Sequence, residues 1–173
     1  TAAELVPGFS GALYVFNNSR DRLVLSTSWG RPTSERLDET INPADCWALK
    51  RGKPHYNRGD HSKLCCGHHH GDETTLEMPM IARGEVVGLL QIFASGADAV
   101  EQLEGIMHLC TALTDGMSLA LANMALREKL RNQALRDPLT GLYNRRYMED
   151  SLQRFVRLAD RENREISLLM IDL

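Results

Sequence analysis

The sequence predicts an α+β fold, in which an antiparallel sheet carries helices on one side and a long helix follows. Two pairs of β-rich runs lie in residues 11–29 and 75–94, and each pair is separated by turn residues. A short helical pattern lies between the pairs, and a long helical pattern begins near residue 97. Because the helices follow pairs of strands, we expect them to be segregated from the sheet in a layered arrangement.

The strands of the sheet are predicted as two hairpins. Residues 11–18 (GALYVFNN) are β-rich and end in turn-forming residues, and residues 22–29 (RLVLSTSW) are their natural partner. Residues 75–82 and 85–94 form the second pair, joined at an Arg-Gly turn. Gly88 within the last run predicts a bulge or a close approach of two backbones.

A short helix is predicted between the hairpins, over residues 43–51. Asn42 is suited to be its N-cap, and Gly52 stands just past its end. Residues 53–57 are expected to form a short strand. Residues 58–74, which are rich in Gly, His and Cys, show no periodicity and are expected to form a loop.

One continuous long helix is predicted from about residue 97 to residue 136. Its apolar residues follow spacings of three and four, at Leu103, Ile106, Cys110, Leu113, Met117, Ala120 and Met124. About 35 residues at 1.5 Å each would extend about 50 Å, which is more than one small domain covers. A second face with the same spacing contains Asn123, Leu126, Leu130 and Gln133. Such a face favours a parallel dimer, since a single solvated helix of this kind is marginal in water.

The composition and net charge narrow the range of partners and cellular locations that we expect for the chain. The chain has 173 residues and a net charge of −3, so its bulk charge does not favour binding to nucleic acid or to an anionic membrane. Its continuous apolar runs are too short to span a bilayer, and we see no basic-then-apolar leader. Four cysteines without a disulfide-rich pattern favour a reducing, cytoplasmic setting.

The motif DPLTGL at residues 137–142, followed by Asn-Arg-Arg at residues 144–146, resembles the start motif R-D-x-L-T-x-L-x-N-R-R of GGDEF domains, the diguanylate cyclases. The residues that carry the match are Asp137, Leu139, Thr140, Leu142, Asn144 and Arg145. The resemblance continues through a helix at residues 147–163 into the family's first strand at residues 165–173. It implies that a dimer condenses two GTP into cyclic di-GMP with Mg²⁺. The Asp172 carboxylate and the Leu173 carbonyl would be Mg²⁺ ligands.

The first part of the chain resembles the GAF family of sensor domains. Residues 11–16, 76–80 and 84–90 carry this resemblance. It implies a GAF sensor domain over residues 1–123, a coiled-coil-like signalling helix over 124–136, and the beginning of a GGDEF domain over 137–173. GGDEF domains are longer than this last segment, so we expect the chain to be an inactive fragment of a bacterial diguanylate cyclase.

Cysteine and histidine are concentrated in residues 45–55 (DCWALKRGKPH) and 65–70 (CCGHHH), which are similar to a subset of GAF domains with D-C-W-A-L-R-R-G-x-x-H and C-x-H segments. The candidate ligand residues are Cys46, His55, Cys65, Cys66, His68 and His69. Thiolates and imidazoles suit zinc, or iron in a haem or iron–sulfur setting. Adjacent Cys65 and Cys66 cannot easily both bind one tetrahedral ion.

Other roles for these residues remain open. Cys46 could react with Cys65 or Cys66 in a redox pair. The loop could close over a small organic ligand, or Cys46 could pack beneath Trp47 while the histidines stay solvated.

Together these observations predict the sensory and dimerisation portion of a diguanylate cyclase, with a second copy of the chain and a small ligand as partners. A change in the GAF pocket would alter the packing of paired helices. Two alternatives remain. The chain could be a metal-, haem- or redox-binding module, or a regulator whose degenerate GGDEF domain only binds nucleotide.

Overall fold

A computed structural model of the protein describes residues 2–30, 37–58 and 64–171. The chain divides into two compact units, Thr1–Asn123 and Met124–Leu173. The first contains an antiparallel sheet with packed helices, and the second is helical. The predicted α+β class is therefore confirmed.

The sheet has six strands in the described part of the chain, in the order β3-β2-β1-β6-β5-β4, and neighbouring strands are antiparallel. The strands are β1 Ser10–Phe16, β2 Leu23–Trp29, β3 Thr40–Ile41, β4 His55–Asn57, β5 Thr74–Ala82 and β6 Glu85–Ala94. Both predicted hairpins are confirmed, as β1–β2 and β5–β6. The two-residue strand β3 was not predicted.

The helices are α1 Ala2–Leu5, α2 Trp47–Arg51, α3 Ala99–Gly105, α4 Met107–Leu135 and α5 Arg145–Glu162. Successive side chains of a strand point to opposite faces of the sheet, so each strand contributes to two separate packed layers. Leu76 and Leu90 pack on one face against residues of α3 and α4. Tyr14 and Leu89 pack on the other face against the start of α2 and the segment that contains Cys66.

Gly88 lies where β6 passes close to the backbone of β1. The register of β5 shifts opposite it, between Met80 and Ile81. A Cβ atom on Gly88 would lie 2.5 Å from the carbonyl oxygen of Tyr14 and would also meet the side chain of Met80. The predicted close approach of two backbones is confirmed.

The predicted helix over residues 43–51 is interrupted at Cys46. A 3₁₀ turn, Pro43–Asp45, precedes the break, and α2 follows it. Cys46 is extended, with φ −107° and ψ 118°, and its amide closes the 3₁₀ turn by donating to Pro43 O. Both predicted caps are confirmed, since Asn42 Oδ1 accepts from Ala44 N and Gly52 adopts a left-handed φ of 60°.

The prediction of one uninterrupted long helix was wrong at its beginning. Helix α3 ends at Gly105 and α4 begins at Met107, because Ile106 leaves helical geometry and donates instead to Leu103 O at 3.3 Å. Glycine is a poor helix former, which favours a break at this point.

The buried stripe of α4 also differs from the predicted one. Cys110 is buried as expected, but Met124 is 66% exposed. Thr114 and Ser118 are buried instead, and their hydroxyls donate to the carbonyls of Cys110 and Thr114, one turn earlier. These polar side chains tolerate burial because the helix backbone satisfies them.

By length and composition alone, α4 is the one described helix that meets the requirements for crossing a membrane. Its apolar residues are interrupted by polar ones, so it contains no long continuous apolar run. Core helices of globular proteins have the same composition, so this property does not assign a location.

The strand predicted at residues 165–173 is not formed by the described residues of the second unit. Helix α5 ends at Glu162, and residues 164–171 form no strand. Leu169 and Met170 are 82% and 86% exposed. A strand needs a neighbour for its backbone hydrogen bonds, and the described residues offer none here.

Candidate functional site: a buried cysteine–histidine cluster

Three of the predicted ligand residues meet in the first unit. One ligand atom each from Cys46, Cys66 and His68 lies within 4.8 Å of the other two. The two sulfur atoms are 3.9 Å apart. All three side chains are buried, with at most 7% of any residue exposed. We refer to these three residues as the Cys–His cluster.

Hydrogen bonds from backbone amides join the segment that contains Cys46 to the segment that contains Cys66. Trp47 N, at the start of α2, donates to Cys66 Sγ at 3.1 Å, and Gly67 N donates to Asp45 O at 2.8 Å. On the other side, Cys66 N donates to the Asn57 side chain at 2.7 Å. Cys66 is thus fixed between α2 and β4 by local geometry.

A polar network lies beside the cluster on the same face of the sheet. Glu77 Oε1 accepts three hydrogen bonds, from Asn57 Nδ2 at 2.9 Å, Gln91 Nε2 at 3.0 Å and Thr75 Oγ1 at 3.1 Å. Gln91 Nε2 also lies 3.2 Å from His68 Nδ1. His68 is therefore connected through Gln91 to a fully buried carboxyl group.

Two buried polar atoms at this site have no hydrogen-bond partner among the described residues, namely His68 Nε2 and Glu77 Oε2. Leaving such an atom unpaired costs about 1–3 kcal/mol. Buried polar atoms are nearly always satisfied in folded proteins, so an unpaired one needs an explanation such as a bound ion or ligand.

The pKa values of the three residues of the cluster are shifted from their ordinary values. The hydrogen bond with Cys46 lowers the pKa of Cys66, against the effect of burial, and the neighbouring His68 ring adds to this lowering. The same pairing, together with burial, raises the pKa of Cys46. Burial alone would lower the pKa of His68, but its contacts with Cys66 and Glu77 outweigh burial and raise it.

Burial also raises the pKa of Glu77 to about 7, although His68 and the hydrogen bond from Gln91 oppose this shift. The cluster therefore favours one thiolate, at Cys66, beside a thiol at Cys46. A thiolate next to an imidazole can bind a soft metal ion or act as a nucleophile.

The other predicted ligand residues lie outside the close cluster in the described structure. His55 Nε2 is 2.9 Å from Leu64 O, and Cys65 Sγ is 3.7 Å from Arg58 O. His69 Nδ1 is 3.5 Å from the hydroxyl of Thr75.

Sequence reasoning missed the polar network around Glu77. Its members come from three different strands, β4, β5 and β6, and neither Glu77 nor Gln91 belongs to a ligand motif. The available signal was a charged or amide residue within an apolar strand, LEMPM for Glu77 and LLQIF for Gln91.

In the second unit, Asp137 organises the turn between α4 and α5. Its Oδ1 accepts from Thr140 N at 2.8 Å, Thr140 Oγ1 at 2.9 Å and Leu139 N at 3.1 Å. These hydrogen bonds, led by the one from the Thr140 backbone, lower the pKa of Asp137. Asp137 N also donates to Leu142 O at 2.8 Å, which closes the turn.

Asn144 contacts the ends of both helices of this unit. Its Nδ2 donates to Ala134 O near the end of α4, and its Oδ1 accepts from Tyr147 N in the first turn of α5. Arg145 forms an exposed ion pair of 2.7 Å with Glu149 on α5. Asp172 and Leu173, the predicted Mg²⁺ ligands, lie outside the described residues.

Comparison with known proteins gives different relatives for the two ends of the chain. Residues 134–173 match the family model described as "Diguanylate cyclase, GGDEF domain". A search of the curated proteins gave no match.

Several solved structures, GAF domains among them, have the fold of the N-terminal part. The second GAF domain of DevS from Mycobacterium smegmatis aligns with a TM-score of 0.52 at 20% identity, covering 75% of this chain and 91% of that one. The GAF domain/HD domain protein from Geobacter sulfurreducens gives 0.53 at 18% identity, covering 71% and 86%. A type II free methionine-R-sulfoxide reductase from Thermoplasma acidophilum gives 0.52 at 17% identity, covering 70% and 85%.

Proposed function

We propose that this chain, a GAF-fold unit followed by the beginning of a GGDEF domain, is the sensory and dimerisation portion of a cytoplasmic bacterial diguanylate cyclase. The observation that carries the proposal is the family match over residues 134–173, in a chain whose first unit, Thr1–Asn123, has the fold of solved GAF domains. The hydrogen-bonded turn at Asp137 and the capping by Asn144 give the matched motif a structural role at the start of that domain.

The output reaction follows from the family. A diguanylate cyclase joins two GTP molecules into cyclic di-GMP, and GGDEF domains use Mg²⁺ for this reaction. A hard cation of this kind prefers oxygen ligands, which the Asp172 carboxylate and the Leu173 carbonyl would provide. We assign catalysis to a longer protein that extends beyond Leu173, and we expect the 173-residue chain to be inactive.

Regulation is proposed to act through pairing of α4 with its copy in a second chain. Leu130 is 56% exposed and Leu126 is half-buried, and both belong to the second predicted face of the helix. Apolar side chains exposed on a long helix favour association, since burying them removes apolar surface from water. A ligand that alters the GAF-fold unit would then change how two catalytic domains meet.

A second candidate function is binding of a metal ion or a redox change in the GAF-fold unit itself. The Cys–His cluster favours it, because two sulfur atoms and an imidazole are buried together. This activity could be the input to the cyclase or the main role of a protein whose GGDEF domain only binds nucleotide.

The test is synthesis of cyclic di-GMP by a protein extended past Leu173 to the end of its GGDEF domain. With GTP and Mg²⁺ the extended protein should form cyclic di-GMP, and the 173-residue chain should not. If the extension carries an intact G-G-[DE]-E-F loop and forms no product, the cyclase assignment fails. If that loop is altered and the protein binds GTP or cyclic di-GMP without turnover, the receptor alternative holds.

A further inference from the structure

We propose that Cys46, Cys66 and His68 form a three-ligand site for a Zn²⁺ ion in the GAF-fold unit. This inference rests on the proposed function only where it makes zinc the input to a cyclase, because zinc binding itself involves no residue of the second unit. The Cys–His cluster supplies two sulfur donors and one nitrogen donor, a set that suits zinc.

The spacing of the sulfur atoms matches a zinc site. With Zn–S bonds of about 2.3 Å and tetrahedral angles, two cysteine ligands lie about 3.8 Å apart. The sulfur atoms of Cys46 and Cys66 are 3.9 Å apart. Each of the three donor atoms is also within 4.8 Å of the others, so one ion can reach all three after small side-chain movements.

His68 offers a nitrogen that has no other partner in the described structure. Its Nε2 atom is buried and unpaired, whereas Nδ1 faces Gln91 Nε2 at 3.2 Å. Zinc-bound histidines usually have their second nitrogen hydrogen-bonded to an outer group. A half-turn of the Gln91 amide would place its oxygen against Nδ1–H and fix the ring in the tautomer that a metal requires. The protonated Glu77 carboxyl would then donate to the same oxygen, in place of the hydrogen bond that it accepts from Gln91 Nε2.

A disulfide between the same cysteines fits the structure less well. An S–S bond of about 2.05 Å would require the sulfur atoms to approach by almost 2 Å. Cys66 is held on both sides, because Trp47 N donates to its sulfur and its own amide donates to Asn57. Zinc binding needs no such movement, since the ion fills the space between the two sulfur atoms.

Three protein ligands leave one corner of a tetrahedron for water or another small ligand. As the Zn–S bond to Cys46 forms, its thiol gives up a proton, so binding releases a proton to the solvent. The ion would also join Cys46, just before α2, to Cys66 and His68, and thereby stabilise the packing of residues 66–68 against α2.

The experiment titrates the reduced, metal-free 173-residue chain with Zn²⁺ in competition with a chromophoric chelator, and repeats it with Co²⁺. We expect one ion per chain, tetrahedral cobalt absorption bands with thiolate charge transfer, and a higher Tm when zinc is bound. Affinity should fall at least about 100-fold in Cys66→Ser and His68→Gln, since loss of even an outer partner costs about 10- to 100-fold. Cys65→Ser is the matched control, next in sequence to Cys66, and should bind zinc like the native chain.

Two results would overturn the site: no zinc bound by the native chain, or equal affinity in Cys66→Ser. Circular dichroism of each variant identifies any that fail to fold, and the cobalt spectrum of the native chain tests the ligands without substitution. Because no GTP enters the measurement, failure of the site and failure of the cyclase assignment are seen separately.

Discussion

Glu77 lies opposite Gln91 in the register of β5 and β6 and accepts a hydrogen bond of 3.0 Å from its side-chain amide. The carboxyl group is fully buried, and one of its oxygens has no hydrogen-bond partner in the described structure. A charged group in this position is unfavourable, so the folded state prefers the protonated form.

This preference makes stability depend on pH. The pKa of Glu77 rises from 4.5 to about 7 on folding. Its contribution is complete below pH 4.5, where both states are protonated, and it is lost between pH 4.5 and 7, where only the folded state keeps the proton. The free energy of unfolding should therefore decrease across this range, by roughly 1–3 kcal/mol.

Glu77→Gln tests this dependence, because an amide is neutral at every pH. Urea unfolding at a series of pH values, in the presence of a chelator, should show a shallower slope for Glu77→Gln than for the native chain. The difference between the two curves contains the titration of Glu77 together with its electrostatic effect on neighbouring groups, chiefly His68, whose pKa Glu77 helps to raise. Parallel curves would show that Glu77 does not titrate in this range.

The two contacts of Asn144 can be separated by substitution. Asn144→Ala removes both helix caps and should destabilise the start of α5 by about 1 kcal/mol. Asn144→Asp keeps an acceptor for Tyr147 N but loses the donor to Ala134 O. Hydrogen exchange at Tyr147 and Met148 should accelerate in Asn144→Ala and remain close to native in Asn144→Asp. Equal protection in all three proteins would mean that the cap contributes nothing.

The close approach at Gly88 predicts a stability cost for any side chain. Gly88→Ala places a methyl group against the Tyr14 carbonyl and should lower the free energy of unfolding by about 1–3 kcal/mol. Gly105→Ala in α3 is the matched control, because its Cβ meets nothing within 4 Å. It should be neutral or stabilising by up to about 1 kcal/mol. Thermal unfolding of both variants would measure the difference, and equal values would contradict the packing between β1 and β6.

Dimerisation through α4 predicts an effect of charge at Leu130. Leu130→Glu places a carboxylate in the proposed interface of each copy and should weaken the dimer by at least about tenfold, since burying an unpaired charge costs more than 1 kcal/mol. Ala125→Glu introduces the same charge on another exposed face of the helix and should leave the dimer intact. Sedimentation equilibrium measures both variants. A native chain that is monomeric at every concentration would remove the interface altogether.

Much of the first unit follows from local pattern. The hairpins, the caps at Asn42 and Gly52 and the constraint at Gly88 were predictable because alternation, capping residues and glycine act within a few residues. The break at Ile106 had a local signal in Gly105, which the long apolar stripe outweighed in the prediction. The burial of Thr114 and Ser118 was not predictable, because three-four spacing does not distinguish which of two adjacent stripes of a helix is buried.

The candidate site also has a part that the sequence predicts and a part that it does not. Cys46, Cys66 and His68 belonged to a visible Cys- and His-rich pattern, but the sequence did not separate them from His55, Cys65 and His69. That selection depends on how α2, β4 and residues 64–70 pack together, which no local pattern encodes. Glu77 and Gln91 join the site only through strand pairing across 14 residues.

Control of the GGDEF domain through the Cys–His cluster of the GAF-fold unit is the central claim, and the rate of cyclic di-GMP formation by the protein extended past Leu173 tests it most directly. The native protein, Cys66→Ser and Cys65→Ser would be compared at equal concentration with GTP and Mg²⁺, after circular dichroism shows that all three are folded. The account predicts that Cys66→Ser changes the rate several-fold while Cys65→Ser leaves it at the native value. A rate for Cys66→Ser equal to that of the native protein would contradict it.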